Sequence, residues 1–333
     1  QDILGNYSSL EKTFGVQRRV DPVGSIDDET RIFADIAATM QTLTEDILLR
    51  LCRRLRADTG CRDLAMAGGV ALNCVANGRI ARESGFDQLF VQPAAHDAGT
   101  AMGAAYLLWH EHLDQPRQIE NLSPYLGPEF SEPDILTALE SSEFAFEKHE
   151  DITSVAARLL VDGDIVAWFQ GRMEIGPRAL GNRSLLADPR RAEIRDIINQ
   201  KVKHREAFRP FCPSVLADKA LDWFDVAPTP QGPEYYMLSA VKARPNVDAV
   251  IPAVVHVDGT ARVQMVEREA NPRYYELIEK FAQLTEVPVL LNTSFNDSEP
   301  IVCSPADALN TFRNTRIDKL VLGDYLVTRD LVR

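Results

Sequence analysis

The chain has few features that would tie its fold to disulfide bonds or to a membrane. Its five cysteines are scattered, and no two of them form a CxxC pair. An odd number of widely spaced cysteines argues against a disulfide framework and favours reduced thiols. No hydrophobic run approaches the ~18 residues of a membrane-spanning helix. Residues 1–5 lack the basic and apolar segments of a signal peptide, so we expect a cytoplasmic protein without a membrane partner.

Positive charge is also scarce. The 333 residues contain 36 Lys+Arg against 49 Asp+Glu, a net charge of −13. This balance argues against a nucleic-acid partner, since general nucleic-acid binding favours a basic surface. Anionic small substrates remain possible because they respond to the local field. The length favours two domains, each able to bury its own core.

Hydrophobic spacing predicts a mixed α/β fold in both parts of the chain. A helical pattern from Ser25 ends at Gly60, and strands at 64–67 and 89–91 are each followed by a glycine-containing loop and a helix. Residues 113–134 contain four prolines and predict the connection between a domain at 1–120 and a domain at 121–333.

The second part shows its own alternation of strands and helices. The pattern predicts helices at 135–139, 191–202, 272–284 and 305–313. It predicts strands at 165–169, 250–257 and 287–291, and a last strand at 319–322. Ser304 and Pro305 form a good N-cap and first-turn pair.

Two loops of the first part have residues suited to ligand binding. In AGGVALN (67–73), Gly68 and Gly69 allow either close approach of a ligand to the backbone or a tight turn. In PAAHDAGTAMGAA (93–105), Asp97 precedes a helix of small residues. It suits a helix cap, which spacing alone favours, or a carboxylate ligand for a metal.

A basic segment stands out in the second part. Residues 172–209 contain ten Lys/Arg and five Asp/Glu, a local charge of +5; they include EIGPRALGNRS (174–184) and overlap KHREAFRPF (203–211). Arginine and lysine side chains in a glycine-containing segment suit the binding of phosphate or carboxylate groups, which a guanidinium can contact in bidentate fashion. The alternative is a solvated charged face.

Two further segments follow this basic region. HVDGTARVQ (256–264) contains Arg262, and LNTSFN (291–296) ends an apolar strand with amide and hydroxyl side chains. Such strand ends are where α/β sheets place ligand contacts, although a simple turn fits the second segment equally well.

Taken together and in this order, these segments resemble the O-carbamoyltransferase family of nodulation-factor and antibiotic biosynthesis, over roughly residues 25–325. The resemblance implies an ATP-dependent enzyme that forms carbamoyl-adenylate from carbamoyl phosphate and ATP, and then transfers the carbamoyl group to a hydroxyl of a small-molecule acceptor. It also implies the second half of an actin-like, sugar-kinase-like or heat-shock-chaperone-like transfer domain, followed by a domain similar to threonylcarbamoyl-adenylate synthase.

The resemblance also implies roles for individual residues. Those expected to contact carbamoyl phosphate or the adenylate are Arg178, Lys203, Arg262, Asn292 and Ser294. Gly68, Gly69 and Asn73 match the nucleotide-holding loop of the transfer domain, and Asp97 matches a metal carboxylate. Mg²⁺ is expected with ATP, and iron in the complete transfer domain.

One part of the family pattern is absent from the sequence. The HxxxH pair that supplies metal ligands in the transfer domain does not occur among the six histidines. We therefore expect a missing N-terminal half, or a second chain, to be a partner. Two alternatives to the transferase are an actin-fold ATPase or kinase and a non-catalytic binding subunit, which product analysis would distinguish.

Overall fold

The computed structural model describes residues 8–17, 30–117, 123–206, 208–226, 229 and 231–331. Its helices and strands confirm the mixed α/β class. The helices are α1 (Ser8–Phe14), α2 (Arg31–Thr59), α3 (Cys74–Glu83), α4 (Thr100–Leu107), α5 (Glu132–Glu140), α6 (Ile152–Asp162), α7 (Ile194–Lys201), α8 (Ala220–Trp223), α9 (Val247–Val250), α10 (Pro272–Thr285) and α11 (Pro305–Asn314). The strands are β1 (Asp63–Met66), β2 (Gln88–Val91), β3 (Phe144–Lys148), β4 (Val166–Phe169), β5 (Arg183–Ala187), β6 (Cys212–Leu216), β7 (Ala240–Lys242), β8 (Thr260–Arg262), β9 (Gln264–Val266), β10 (Val289–Ser294), β11 (Lys319–Leu322) and β12 (Tyr325–Leu331).

The first part of the chain builds a small parallel sheet. Strands β1 and β2 pair in parallel, with Leu64 opposite Leu89. The long helix α2 ends at Gly60, which adopts φ +68° as a left-handed C-cap, as the sequence predicted. The predicted start of this helix at Ser25 lies outside the described residues.

Helix α2 leaves part of its apolar surface uncovered. Its large hydrophobic residues with more than 40% exposure are Ile32, Met40, Leu43, Ile47, Leu51 and Leu55. Within the described part of the chain, no helix is long and apolar enough to span a membrane.

The second part is built around one mixed sheet of eight strands. The strand order is β3-β12-β11-β4-β5-β10-β6-β9, with β4–β11 and β6–β9 parallel and the other pairs antiparallel. Strands β4, β5 and β6 are buried along their whole length, and α6 and α10 pack against each other on this sheet. The central strands therefore carry the larger hydrophobic core, and their ends position the candidate site.

Two predictions for the second part were wrong. The predicted strand at 250–257 is instead helix α9 followed by turns, although Ile251 and Val254 are buried. The apolar residues of this segment are buried without pairing with another strand. Hydrophobic periodicity alone does not distinguish such a segment from a strand. The strand at 319–322 is confirmed, but it is followed by β12, so it is not the last.

The two parts contact each other directly. The Asn77 amide on α3 donates to the Leu238 carbonyl at 2.8 Å, and a Cβ on Gly78 would lie 2.3 Å from the Ala240 oxygen. Gly78 is therefore required for this close approach. The predicted domain boundary at 120/121 falls outside the described residues and stays a prediction.

Candidate active site

The loop between β4 and β5 is organised by one buried carboxylate. Glu174 is 5% exposed, and its Oε1 accepts the N–H groups of Leu180 (2.6 Å), Asn182 (2.7 Å) and Arg183 (3.3 Å). Burial raises the pKa of Glu174, while these N–H donors oppose that shift. The carboxylate closes the loop around the segment that carries Arg178.

The same loop is also held by a buried cation, which donates hydrogen bonds where Glu174 accepts them. Arg183 is fully buried, and its terminal nitrogens donate to the carbonyls of Gln170, Asn182, Pro128 and Gly171 at 2.6–3.3 Å. Its guanidinium carbon also lies 3.6 Å from the centre of the Phe169 ring. This arginine is a structural cation, so the solvated-face alternative is wrong for this part of the basic segment.

Arg178 and Arg262 form a pair of cations at the seam between the two parts. Each is partly buried, and among the described residues neither forms an ion pair. Burial first, and the charge of Arg262 second, lower the pKa of Arg178, and its Nε is buried without a partner. Two neighbouring guanidinium groups without a carboxylate repel each other, and an anion placed between them would relieve that repulsion.

Arg262 is fixed by a turn and by sulfur. The Asp258 carboxylate accepts both the N–H (2.9 Å) and the hydroxyl (2.7 Å) of Thr260, which sets the turn into β8. The Arg262 Nε lies 3.0 Å from the Cys212 Sγ, and the nearby sulfurs of Cys212 and then Cys74 raise the pKa of Arg262.

Lys203 is buried and faces the end of β10. It is 7% exposed, and its ammonium donates to the Ser294 and Asn296 carbonyls (2.5 and 2.7 Å), the Asn296 Oδ1 (2.7 Å) and the Ser294 Oγ (3.2 Å). Four acceptors for three N–H bonds account for all its donors. Burial first, and the charge of Arg205 second, lower the pKa of Lys203 to about 7. Lys203 thus holds the 294–296 turn, which contains Ser294.

This burial predicts a pH dependence of stability. The pKa of Lys203 is lower in the folded protein than in the unfolded chain. The free-energy cost of burying its charged ammonium is therefore present in full below pH 7 and is relieved as the pH rises toward 10. We expect the free energy of unfolding to rise between pH 6.5 and 8.5 relative to a Lys203→Met variant. Urea unfolding of both proteins at three pH values measures this difference, and parallel pH profiles would contradict it.

Asn292 lies in a buried amide network below the arginine loop. Its Nδ2 donates to the Ser214 Oγ and Gln264 Oε1 (both 3.0 Å) and to the Ala179 carbonyl (3.3 Å), while its Oδ1 is buried without a partner. Gln264 in turn donates to the Leu180 carbonyl at 2.7 Å. The network supports the backbone next to Arg178, and the Asn292 Oδ1 within it is buried without a partner.

An open cavity of about 730 Å³, lined mostly by the first part of the chain and also by Gln231, brings two predicted segments together. Gly68, His96 and Asp97 all line it. Gly68 adopts φ +98°, and its N–H donates to the Ala95 carbonyl at 2.7 Å. Asp97 is exposed, and no side-chain cap is formed at either helix that starts near it, so the cap interpretation is wrong.

The other two residues of the glycine segment have structural partners. Gly69 begins a 3-10 helix at Gly69–Leu72. Asn73 caps α3 by accepting the Ala76 N–H at 3.1 Å, and its amide exchanges two hydrogen bonds with Gln41 on α2 at 3.0 and 3.1 Å. A nucleotide-binding role for these residues stays a prediction.

The metal ligands implied by the resemblance are incomplete. His96 and Asp97 share the cavity, and the His96 Nδ1 is buried without a partner. Over the ranges that the structure describes, however, no group of three or more His, Cys, Asp or Glu side chains is placed to hold a metal. These residues alone do not fit an iron site, and no step below involves iron.

The loop that contains Arg178 packs against a segment that lines the cavity. A Cβ on Gly176, in this loop, would lie 2.5 Å from the oxygen of Pro93, which precedes the cavity-lining Ala94. Gly176 has φ +94°, so glycine is required here for both space and conformation.

Sequence patterns did not indicate Cys74, Cys212 or Glu174, because their roles depend on contacts between distant segments.

The combination of these segments is that of a known enzyme family. The model "Carbamoyltransferase C-terminus" matches residues 157–329, and "Carbamoyltransferase N-terminus" matches residues 9–106. The chain belongs to the carbamoyltransferase family, as the resemblance indicated.

Several curated relatives are similar over most of the chain. An uncharacterised protein of Synechocystis is 43% identical, over 89% of this chain and 52% of its own length. The nodulation protein NolO of Bradyrhizobium diazoefficiens is 45% identical, over 90% of this chain and 55% of its own length. The chain therefore spans about half the length of these relatives. A crystal structure of full-length HypF overlaps 57% of this chain and 23% of its own, with 16% identity and a TM-score of 0.34.

Proposed function

We propose that this chain binds carbamoyl phosphate and ATP and forms carbamoyl-adenylate, as part of an O-carbamoyltransferase whose complete form transfers the carbamoyl group to a hydroxyl of a small-molecule acceptor. The observation that carries the proposal is the pair Arg178 and Arg262, which lacks a carboxylate partner among the described residues. Family membership supports carbamoyl transfer, and the paired cations support an anionic carbamoyl donor.

The chemistry requires several negative charges to approach one another. Carbamoyl phosphate and one water give phosphate and carbamate, and a carbamate oxygen then attacks the α-phosphorus of ATP as pyrophosphate leaves. Arg178 and Arg262 would offset the repulsion between these groups and the charge that develops on the leaving oxygen. Mg²⁺ would enter with the nucleotide.

Neutral hydrogen bonds would orient the carbamoyl group. The Asn292 Oδ1, which has no partner, would accept from the carbamoyl N–H₂, and the Ser294 Oγ, two residues further along β10, is held by Lys203. Because the N–H groups of Lys203 donate to the 294–296 turn, we propose that Lys203 positions this turn and does not bind the substrate directly. The cavity at Gly68 and Asp97 is our proposed place for the acceptor in the complete protein.

Product analysis tests this function. The chain is incubated with Mg²⁺, carbamoyl phosphate and ATP labelled on either the α- or the γ-phosphate, and pyrophosphate, ADP and carbamoyl-adenylate are separated. We expect pyrophosphate release only when carbamoyl phosphate is present. ADP as the product would favour the kinase alternative, and no turnover would favour a binding subunit.

A further inference from the structure

Arg262 is held between two thiols that come from different parts of the chain. Cys212, the first residue of β6, is 3% exposed, and its Sγ accepts the Arg262 Nε–H at 3.0 Å. Cys74, the first residue of α3, also contacts the Arg262 side chain. The terminal nitrogens of Arg262 donate to no oxygen of the described residues.

The thiols differ from the usual partners of arginine in this protein. Arg190 is held by the Asp188 carboxylate at 2.6 Å, and Arg313 by Glu143 at 2.5 Å. A carboxylate orients a guanidinium but also neutralises it. A thiol is a weaker acceptor than a carboxylate, so it can orient the guanidinium and leave more of its charge for a ligand. Burial raises the pKa of Cys74, while the neighbouring guanidinium groups of Arg262 and Arg178 oppose that shift.

We infer that Cys212 and Cys74 are positioning residues that orient Arg262 without neutralising it, and that they make the anion site a composite of both parts of the chain. Cys212 is the cross-strand partner of Asn292 in the pairing of β6 with β10, so the thiol that holds Arg262 sits on a residue paired with the amide network. Naming the anion as carbamoyl phosphate rests on the proposed function. The role of the thiols rests only on the geometry around Arg262.

Phosphate binding tests the inference without requiring turnover. Inorganic phosphate is titrated into the chain and into its Cys212→Ser, Cys212→Ala and Cys212→Asp variants by calorimetry, after circular dichroism has shown that each is folded. Loss of one neutral hydrogen bond should weaken binding by about three- to tenfold in Cys212→Ala, and serine should restore most of it. A carboxylate at 212 should weaken binding by about 10–100-fold, because it competes with the ligand for the guanidinium.

Each result has a definite meaning. Wild-type affinity in Cys212→Ala would show that the sulfur does not position Arg262. If Cys212→Asp bound phosphate with wild-type affinity, preserving the charge of Arg262 would not be the role of Cys212. If the wild-type chain binds no phosphate, the anion site itself is wrong. If it binds phosphate but releases no pyrophosphate, the proposed function fails while the thiol assignment stands.

Alkylation of Cys74 gives an independent measurement on the other thiol. The chain is treated with iodoacetamide with and without saturating phosphate, and modification of each cysteine is followed by peptide mass spectrometry. We expect phosphate to slow modification of Cys74 at least several-fold and to leave the exposed Cys61 unchanged. Equal modification of Cys74 with and without phosphate would place this thiol outside the anion site.

Discussion

Replacing Arg178 or Arg262 by alanine should reduce carbamoyl-phosphate-dependent pyrophosphate release by about 10²–10³, since a charge-assisted contact to a reacting phosphate contributes ~2–4 kcal/mol. Both arginines are partly buried and form no ion pair among the described residues, so their removal leaves no carboxylate unpaired. The variants should therefore fold. For Arg178 the loss of a destabilising like-charge contact should even offset part of the lost packing.

A matched control separates local chemistry from the overall charge of the basic segment. Lys201 is exposed at the end of α7, and Lys201→Ala changes the net charge by the same amount. We expect it to release pyrophosphate at a rate close to that of the unmodified chain. Near-normal release by folded Arg178→Ala and Arg262→Ala, or an equal loss in Lys201→Ala, would remove the arginine pair from the mechanism.

Local chemistry in the sequence was sufficient to locate most helices and several strands. Asn271 caps α10 at the Tyr274 N–H, and Ser304 with Asp307 forms a capping box at the start of α11, where the pattern predicted helices. These signals lie within a few residues of the feature they specify. The same holds for Gly60, whose left-handed conformation ends α2.

The internal organisation of the site could not be read in this way. The segments with Arg178 and Arg262 are 84 residues apart, and their pairing depends on how β8, in a separate two-stranded sheet, packs near the loop between β4 and β5. A cysteine at 212 looks like an ordinary buried residue until Arg262 is placed 3.0 Å away. Lys203 illustrates the limit of the resemblance, because matching the motif gave no indication that the 294–296 turn occupies its ammonium.

The basic segment also shows why residue type does not define role. The Nε of both Arg178 and Arg183 is buried without a partner, but the terminal nitrogens of Arg183 donate to four carbonyls, whereas those of Arg178 donate to no described residue. Arg183 uses its terminal donors to hold the loop, and we propose that Arg178 keeps its own for a ligand. Both are partly or fully buried arginines in one motif, so only their contacts separate the structural role from the proposed binding role.

The largest effect on stability is therefore expected at Arg183. Arg183→Ala would leave four carbonyls at the loop without their donor and a cavity beside Phe169, which should cost ~3–5 kcal/mol of unfolding free energy. Burial lowers the pKa of Arg183 to about 10, so the side chain is still charged at neutral pH and its donors are present. Urea unfolding followed by circular dichroism measures the loss.

Two further variants decide the cause of this loss. Arg183→Met restores much of the volume but none of the N–H donors, so it should retain most of the destabilisation if the carbonyls are responsible. Arg195, which is paired with Asp196 at 3.5 Å on the surface, is the control, and Arg195→Ala should change stability by less than ~0.5 kcal/mol. If Arg183→Ala were as stable as Arg195→Ala, the loop would be held by Glu174 and packing alone, and Arg183 would have no structural role. A large loss in Arg183→Ala together with full stability in Arg183→Met would assign the effect to packing against Phe169 and not to the four carbonyl contacts.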